Sequence, residues 1–391
     1  MTPREKLDSL AQGDTGIEPV LFHPILMHFA ARFGGGTYRG FATDHRVLVE
    51  STMACAERFG LDAVMLVSDP WRETSAFGAP VEFPEDAVPI CRTHLVGSME
   101  DVKALPDPDV YACERTRDRI LGAEYYRRLV GDSIPIVGWV EGPLAEACDL
   151  GGVNEILLAL GMEEEYVPRL MEKCLATAKT FARAQIEAGC SVMGVGDAIC
   201  SQISPVMYEA LVLPLHRELF SYIHSLGAMV KLHICGNITH LLPLIGTAGA
   251  DIVDIDWMVD PAKAHEALGE KVIVCGNLDP VSVVRNLTAP EVHAAARALI
   301  ESERGKPFIL SGGCEITVDT PHENLLAMRE AAGYSGGHFM RSIFPETVEL
   351  PDTSRDIYTP LDTTLPLSSR PSHVAVCVPA AIGPVASMQM R

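Results

Sequence analysis

The chain has 391 residues, of which 48% are hydrophobic, 21% charged and 6% aromatic. These values exclude a disordered chain, a coiled coil and a collagen-like fibre, and the length suits one α/β barrel with insertions. A formal charge of −21 disfavours nucleic acid, an anionic membrane surface and a polyanionic substrate as partners.

The first fourteen residues contain no apolar signal region, and no apolar run reaches membrane-spanning length. Eleven cysteines are scattered without paired spacing. They read as reduced thiols and place the protein in the cytoplasm. Short runs rich in Val, Ile, Leu and Met follow at residues 20–27, 63–67, 134–140, 191–195, 228–233, 251–255, 271–275 and 307–310. Near-continuous apolar runs of this length are expected of parallel strands buried on both faces.

The intervening segments have helical period. Over 163–188 a stripe of Val167, Leu170, Met171, Cys174, Leu175, Ala178, Phe181, Ala182 and Ile186 is spaced by three and four. Asp260-Pro261 and Ser204-Pro205 mark helix starts, as do the capping-box spacings Thr288 to Glu291 and Thr320 to Glu323. Eight strands alternating with helices predict a (β/α)8 TIM barrel. A long loop follows the second strand, from Asp69 to about Pro108, and is expected to fold over the barrel mouth. The barrel is assigned to residues 1–340. Residues 341–391, rich in Pro, Ser and Thr, read as a poorly ordered or loosely docked tail.

Polar or small clusters close nearly every strand, where the active site of a barrel belongs. His233-x-Cys235 follows one strand and Cys314, in a Gly-Gly-Cys turn, follows the last. An imidazole and two thiolates make a three-ligand zinc site with one open position, the catalytic rather than structural pattern. On spacing alone, an incidental H-x-C with packed thiols is the commoner reading, and Cys314 at a second strand end brings the metal reading level with it.

The runs KLHICGN, DIVDIDWMVDP, VCGNLDPV and LSGGCEI with TPHENLLAM resemble the uroporphyrinogen decarboxylase superfamily. Within it they are similar to the zinc-dependent methyltransferases of corrinoid systems. The resemblance spans about residues 19–333. It implies an α/β barrel, zinc held by His233, Cys235 and Cys314, and methyl transfer between a small substrate and a corrinoid protein. Methyl ethers (O-demethylation), methylated amines and thiols such as coenzyme M are the substrates it admits, and a homodimer is an assembly it allows. No D-x-H-x-x-G corrinoid motif occurs, so the cobalamin would be carried by a separate partner. The alternative is the metal-independent decarboxylase itself, with Asp69 as its central residue. The arginine-bearing N-terminal motif of those decarboxylases is reduced here to Arg32, with His23 and His28 in its neighbourhood.

Other positions complete the expected site. Glu141 ranks ahead of Asp197 and Asp256 as a fourth ligand or catalytic acid, against a role as loop acid or helix cap. Asn237 and Asn277 are candidates for orienting substrate, with ordinary Gly-Asn turn chemistry as the competing reading. His23, His28, Trp139 and Trp257 are expected around the substrate pocket.

Overall fold

The computed structural model describes residues 1–334; the expected tail, and the last six residues assigned to the barrel, lie outside the described residues. Seven parallel strands form one curled sheet, in an α/β architecture of TIM-barrel type. The first is β1 (Val64–Met65), after which a short antiparallel ladder of β2 (Val81–Glu82) and β3 (Ile90–Cys91) stands apart from the sheet. The sheet then continues through β4 (Ile136–Glu141), β5 (Val192–Gly196), β6 (Met229–Ile234), β7 (Ile252–Ile255), β8 (Ile273–Leu278) and β9 (Phe308–Gly312), each pairing with the next and β4 with β1.

The first expected strand, at 20–27, is not one. It makes a single parallel bridge, Phe22 to Leu310, because Pro19 and Pro24 remove the amide donors on either side. It still runs between the sheet's two edges. Leu310 N donates to Leu21 O at 2.9 Å, His23 N to Leu310 O at 3.0 Å, and Asp62 N to Phe22 O at 3.0 Å.

Strand side chains alternate between two packing layers. Val137, Trp139, Val192, Ile252, Ile273, Cys275 and Ile309 fill the interior. Ile136, Val140, Val195, Val230, Leu232, Val253 and Val274 face the helices. The predicted long helix spans Tyr166–Ala188 and buries the expected stripe, except that Ile186 is half-buried at its margin. Gln185, also buried, exchanges two 3.0 Å hydrogen bonds with the backbone of Trp139 and so pins this helix to β4.

Helix starts follow the caps. Asp260 accepts from Ala262 N at 2.9 Å, Ser204 accepts from Met207 N at 3.2 Å, and Thr288 N donates to Glu291 at 2.9 Å. Thr320 is not a cap: its hydroxyl pairs with Thr317, and the helix opens at His322 after Pro321. Ten cysteines of the described residues are free thiols. No described helix is long and apolar enough to cross a membrane.

Candidate metal centre

His233 occupies an inward position of β6, and Cys235 follows one residue past the strand end. The parallel register places Glu141, Gly196, His233, Asp254 and Cys275 side by side on one rung across five strands. Cys314 arrives from the turn after β9. Gly313 is what lets it approach: a Cβ there would lie 2.1 Å from Trp257 N. Gly236, at φ +91°, turns the chain after Cys235 in a conformation that favours glycine. Its amide donates to Asp256 Oδ2 at 2.9 Å, and Met258 N donates to Asp256 Oδ1 at 3.1 Å. Asp256 therefore ties the Cys235 loop to the loop after β7.

The three donors converge. His233 Nε2 lies 3.1 Å from Cys235 Sγ and 4.0 Å from Cys314 Sγ, and the two sulfurs are 3.9 Å apart. Tetrahedral zinc, with bonds of about 2.3 Å to sulfur and about 2.0–2.1 Å to nitrogen, requires donors roughly 3.5–3.8 Å apart. The three separations bracket that range, and a donor set of two sulfurs and one nitrogen suits zinc. The Cys235 hydrogen bond, against burial and with help from the His233 ring, holds the Cys314 thiol down to about 5. Burial opposes charge on His233, but Cys314 and Asp254 push its ring up to about 9. A metal bound by these donors would displace their protons.

Beneath His233, Asp254 Oδ2 lies 3.5 Å from His233 Nδ1 and 3.0 Å from Lys231 Nζ, all three residues being buried. A carboxylate behind a ligating imidazole fixes its orientation. Neither Asp254 nor Lys231 was among the expected site residues. The available signal was the D-x-D at the end of β7, whose first acid stands opposite His233 in the register.

A cavity of about 400 Å³ opens onto the triad, and Asp69, His28, Trp139 and Glu141 are among the residues that line it. Trp139 lies across two glycines of β5: a Cβ on Gly194 would approach its ring to 2.3 Å, and one on Gly196 to 2.9 Å. Its ring centroid is 6.3 Å from that of His233, and its indole N–H donates to Glu141 Oε1 at 3.1 Å. Glu141 Oε1 also accepts from Arg72 Nη2 at 2.8 Å, while Glu141 N donates to Glu73 at 2.9 Å. Asp69 accepts from Ser68 Oγ at 2.6 Å and from Arg115 Nη2 at 2.5 Å. Burial opposes its ionisation, but Arg115 and Arg72 hold the carboxyl down to about 2. Arg72, fully buried, also donates to Asp69 O. These arginines escaped the sequence reading because no short motif joins Arg72 to Glu141, or Arg115 to Asp69, across 69 and 46 residues.

The excursion after β1 contributes wall as well: Ala87, Val88, Pro89 and Ile90 face the cavity, and Trp71 Nε1 donates to Pro89 O at 2.8 Å. His28 pairs with Asp86 at 2.9 Å, and its amide donates to the wall residue Glu315 at 2.9 Å.

Six expected positions do not line the cavity. His23 is buried outside it, where desolvation and nearby Lys231 hold its ring down to about 3. Asp197 follows the last residue of β5 and turns away, accepting from Ala145 N at 2.8 Å and pairing with His216 at 2.9 Å. It caps a helix and lies outside the lining of the cavity at the triad. Asn237 is exposed and accepts from Thr239 N at 3.0 Å, an ordinary turn. Asn277 donates to Asp256 O at 3.1 Å and Val259 O at 2.6 Å, which braces the loop after β7. Trp257 is 49% exposed. Asp256 likewise lies outside the lining, engaged with the Gly236 and Met258 amides.

Comparison with known proteins finds relatives over most of the chain. A methylcobamide:CoM methyltransferase, MtbA, of Methanosarcina acetivorans is 30% identical over 283 residues, covering 70% of this chain and 80% of its own. A uroporphyrinogen decarboxylase of Syntrophotalea carbinolica is 29% identical over 285 residues, with coverage of 70% and 80%. A solved methyltransferase from Methanosarcina mazei shares the fold, with a TM-score of 0.77 at 21% identity over 85% of this chain and 98% of that one. The family model described as uroporphyrinogen decarboxylase (URO-D) matches residues 6–334, and the chain belongs to that family.

Proposed function

We propose that this protein is a zinc-dependent methyltransferase that moves a methyl group between a small substrate and a corrinoid carried by a separate protein. The observation that carries the reading is the convergence of His233, Cys235 and Cys314 within 4.0 Å of one another at the floor of a cavity. A metal-free decarboxylase has no use for such a donor set. The relative named for methylcobamide:CoM methyl transfer supports the reaction class.

Zinc bound there would supply Lewis acidity, activating a thiol or an ether oxygen at neutral pH. The chain's own residues do the rest. Asp254 orients His233 from behind, Asp256 fixes the Cys235 loop, and Gly313 brings Cys314 across to meet them. Trp139 and the excursion after β1 wall the cavity and limit water beside the reacting atoms.

The decarboxylase reading rests on Asp69, which does line the cavity. Its carboxylate is engaged by Arg115 and Ser68, and no Lys or Arg is among the described residues of the wall. Eight substrate carboxylates would find no charge-assisted partners there.

The test is elemental analysis of the purified protein beside Cys235→Ser and Cys314→Ser, with methyl transfer assayed against a supplied corrinoid protein. The expected result is about one zinc per chain, lost in both variants together with turnover while the fold persists by circular dichroism. Chelated, zinc-free protein that converts uroporphyrinogen to coproporphyrinogen would overturn the proposal.

A further inference from the structure

We infer that Lys231 is the charge-balancing residue of the metal centre: acting through Asp254, it returns the loaded site to neutrality, so that the open position accepts one anionic ligand atom. This deepens the zinc reading and rests on it. Lys231 stands on β6 just before His233, on the same inward face, and the register puts it on a rung with Trp139, Gly194, Ile252 and Ile273. It is the charged member of that rung, and it is fully buried. Its Nζ lies 3.0 Å from Asp254 Oδ2, and the same oxygen lies 3.5 Å from His233 Nδ1. One carboxylate oxygen is thus shared between the ammonium and the imidazole.

Stability alone does not explain the pair. A buried ion pair exchanged for well-packed apolar side chains is often neutral or stabilising, and the neighbours of Lys231 on its rung carry no charge. Asp254 has a use behind the ring of a ligating histidine; Lys231 has its use through Asp254. The other titratable groups of this interior add no charge. Burial and Lys231 hold the His23 ring down to about 3, and burial pushes the Cys275 thiol up. Across the cavity, Asp69 is matched by Arg115 and Glu141 by Arg72. The sum at the centre then follows. The thiolates of Cys235 and Cys314 match the charge of a zinc ion, and a ligating imidazole adds none. Asp254 by itself would leave the buried site with a net negative charge, which repels an anion at the open position across a low-dielectric interior. Lys231 cancels that charge.

The test loads the full-length protein to saturation with cobalt(II) in place of zinc and titrates it with azide, the anionic probe, and imidazole, the neutral one, read from the visible ligand-field bands. Lys231→Met should weaken azide binding roughly tenfold, and Asp254→Asn, which leaves Lys231 uncompensated, should tighten it roughly tenfold. In the double variant Lys231→Met with Asp254→Asn both charges go, and azide affinity should return to within about threefold of wild type. Imidazole affinity should stay within about threefold throughout. A purely structural lysine would not give opposite signs with the anion and none with the neutral ligand. Should Lys231→Met, which strands a buried carboxylate, not fold, the step from Asp254→Asn to the double variant carries the test, and azide should weaken roughly tenfold across it. No azide binding by the wild type, azide affinity indifferent to the loss of Lys231, or azide and imidazole affinities that shift in parallel would overturn the inference while zinc and methyl transfer still stood. Protein that takes up neither zinc nor cobalt(II) would bring down the underlying reading, and this inference with it.

Discussion

The two sides of the cavity are built from the same kinds of polar groups to opposite ends. On the side of β6 and β9, His233, Cys235 and Cys314 face one another, and the buried cation nearby, Lys231, is taken by Asp254 behind the ring. On the side of β1 and β4, Asp69 and Glu141 each meet a buried guanidinium. The first arrangement stores binding capacity, and the second uses charge to lock the walls in place. A carboxylate in an active-site cavity is thus not by itself a catalytic group; its partners decide.

That contrast can be broken by substitution. Arg72→Met leaves Glu141 and Glu73 buried without their cation, and is expected to cost about 3–5 kcal/mol, read from the denaturant midpoint, while zinc per folded chain stays unchanged. Asp254→Asn works in the other sense. Zinc affinity should fall roughly 10–100-fold in chelator competition, and retention of wild-type affinity would show that Asp254 does not position His233.

Asp69 gives the comparison a pH axis. A carboxyl held down to about 2 in the folded state contributes stability that is complete above its unfolded value of about 3.9 and is lost as pH falls through about 2. This amounts to about 3 kcal/mol. Unfolding curves of wild type and Asp69→Asn should converge over that interval, and a constant gap between them would refute the assignment. The smallest effect is a control outside both regions: Asp260→Ala removes a helix cap and should cost about 1 kcal/mol, with zinc content and methyl transfer untouched.

The sheet was legible in the sequence because parallel strands buried on both faces leave unbroken apolar runs, and seven of the eight such runs are strands. Residues 20–27 carried the same apolar signal, but their prolines limit the pairing to one bridge. The three donors were legible because they sit next to strand ends, where a short motif can record them. Arg72, Arg115, Lys231 and Asp254 were not, since their partners are brought together by the sheet and by a helix far along the chain. Asp197 shows the converse error. It also follows a strand, but in a β-strand successive side chains alternate, and one step past Gly196 the side chain turns outward to His216.

The single rung that joins Glu141, Gly196, His233, Asp254 and Cys275 has an evolutionary consequence. Because these positions share one level of the sheet, chemistry can be rewritten there while the apolar layer beneath, with Val137, Val192, Ile252 and Ile273, continues to hold the barrel. A one-residue insertion in β6 would be far more damaging than any replacement. It would turn His233 toward the helices and bring a neighbouring apolar side chain into its place, and the rung would lose its meaning even though every residue of the motif survived.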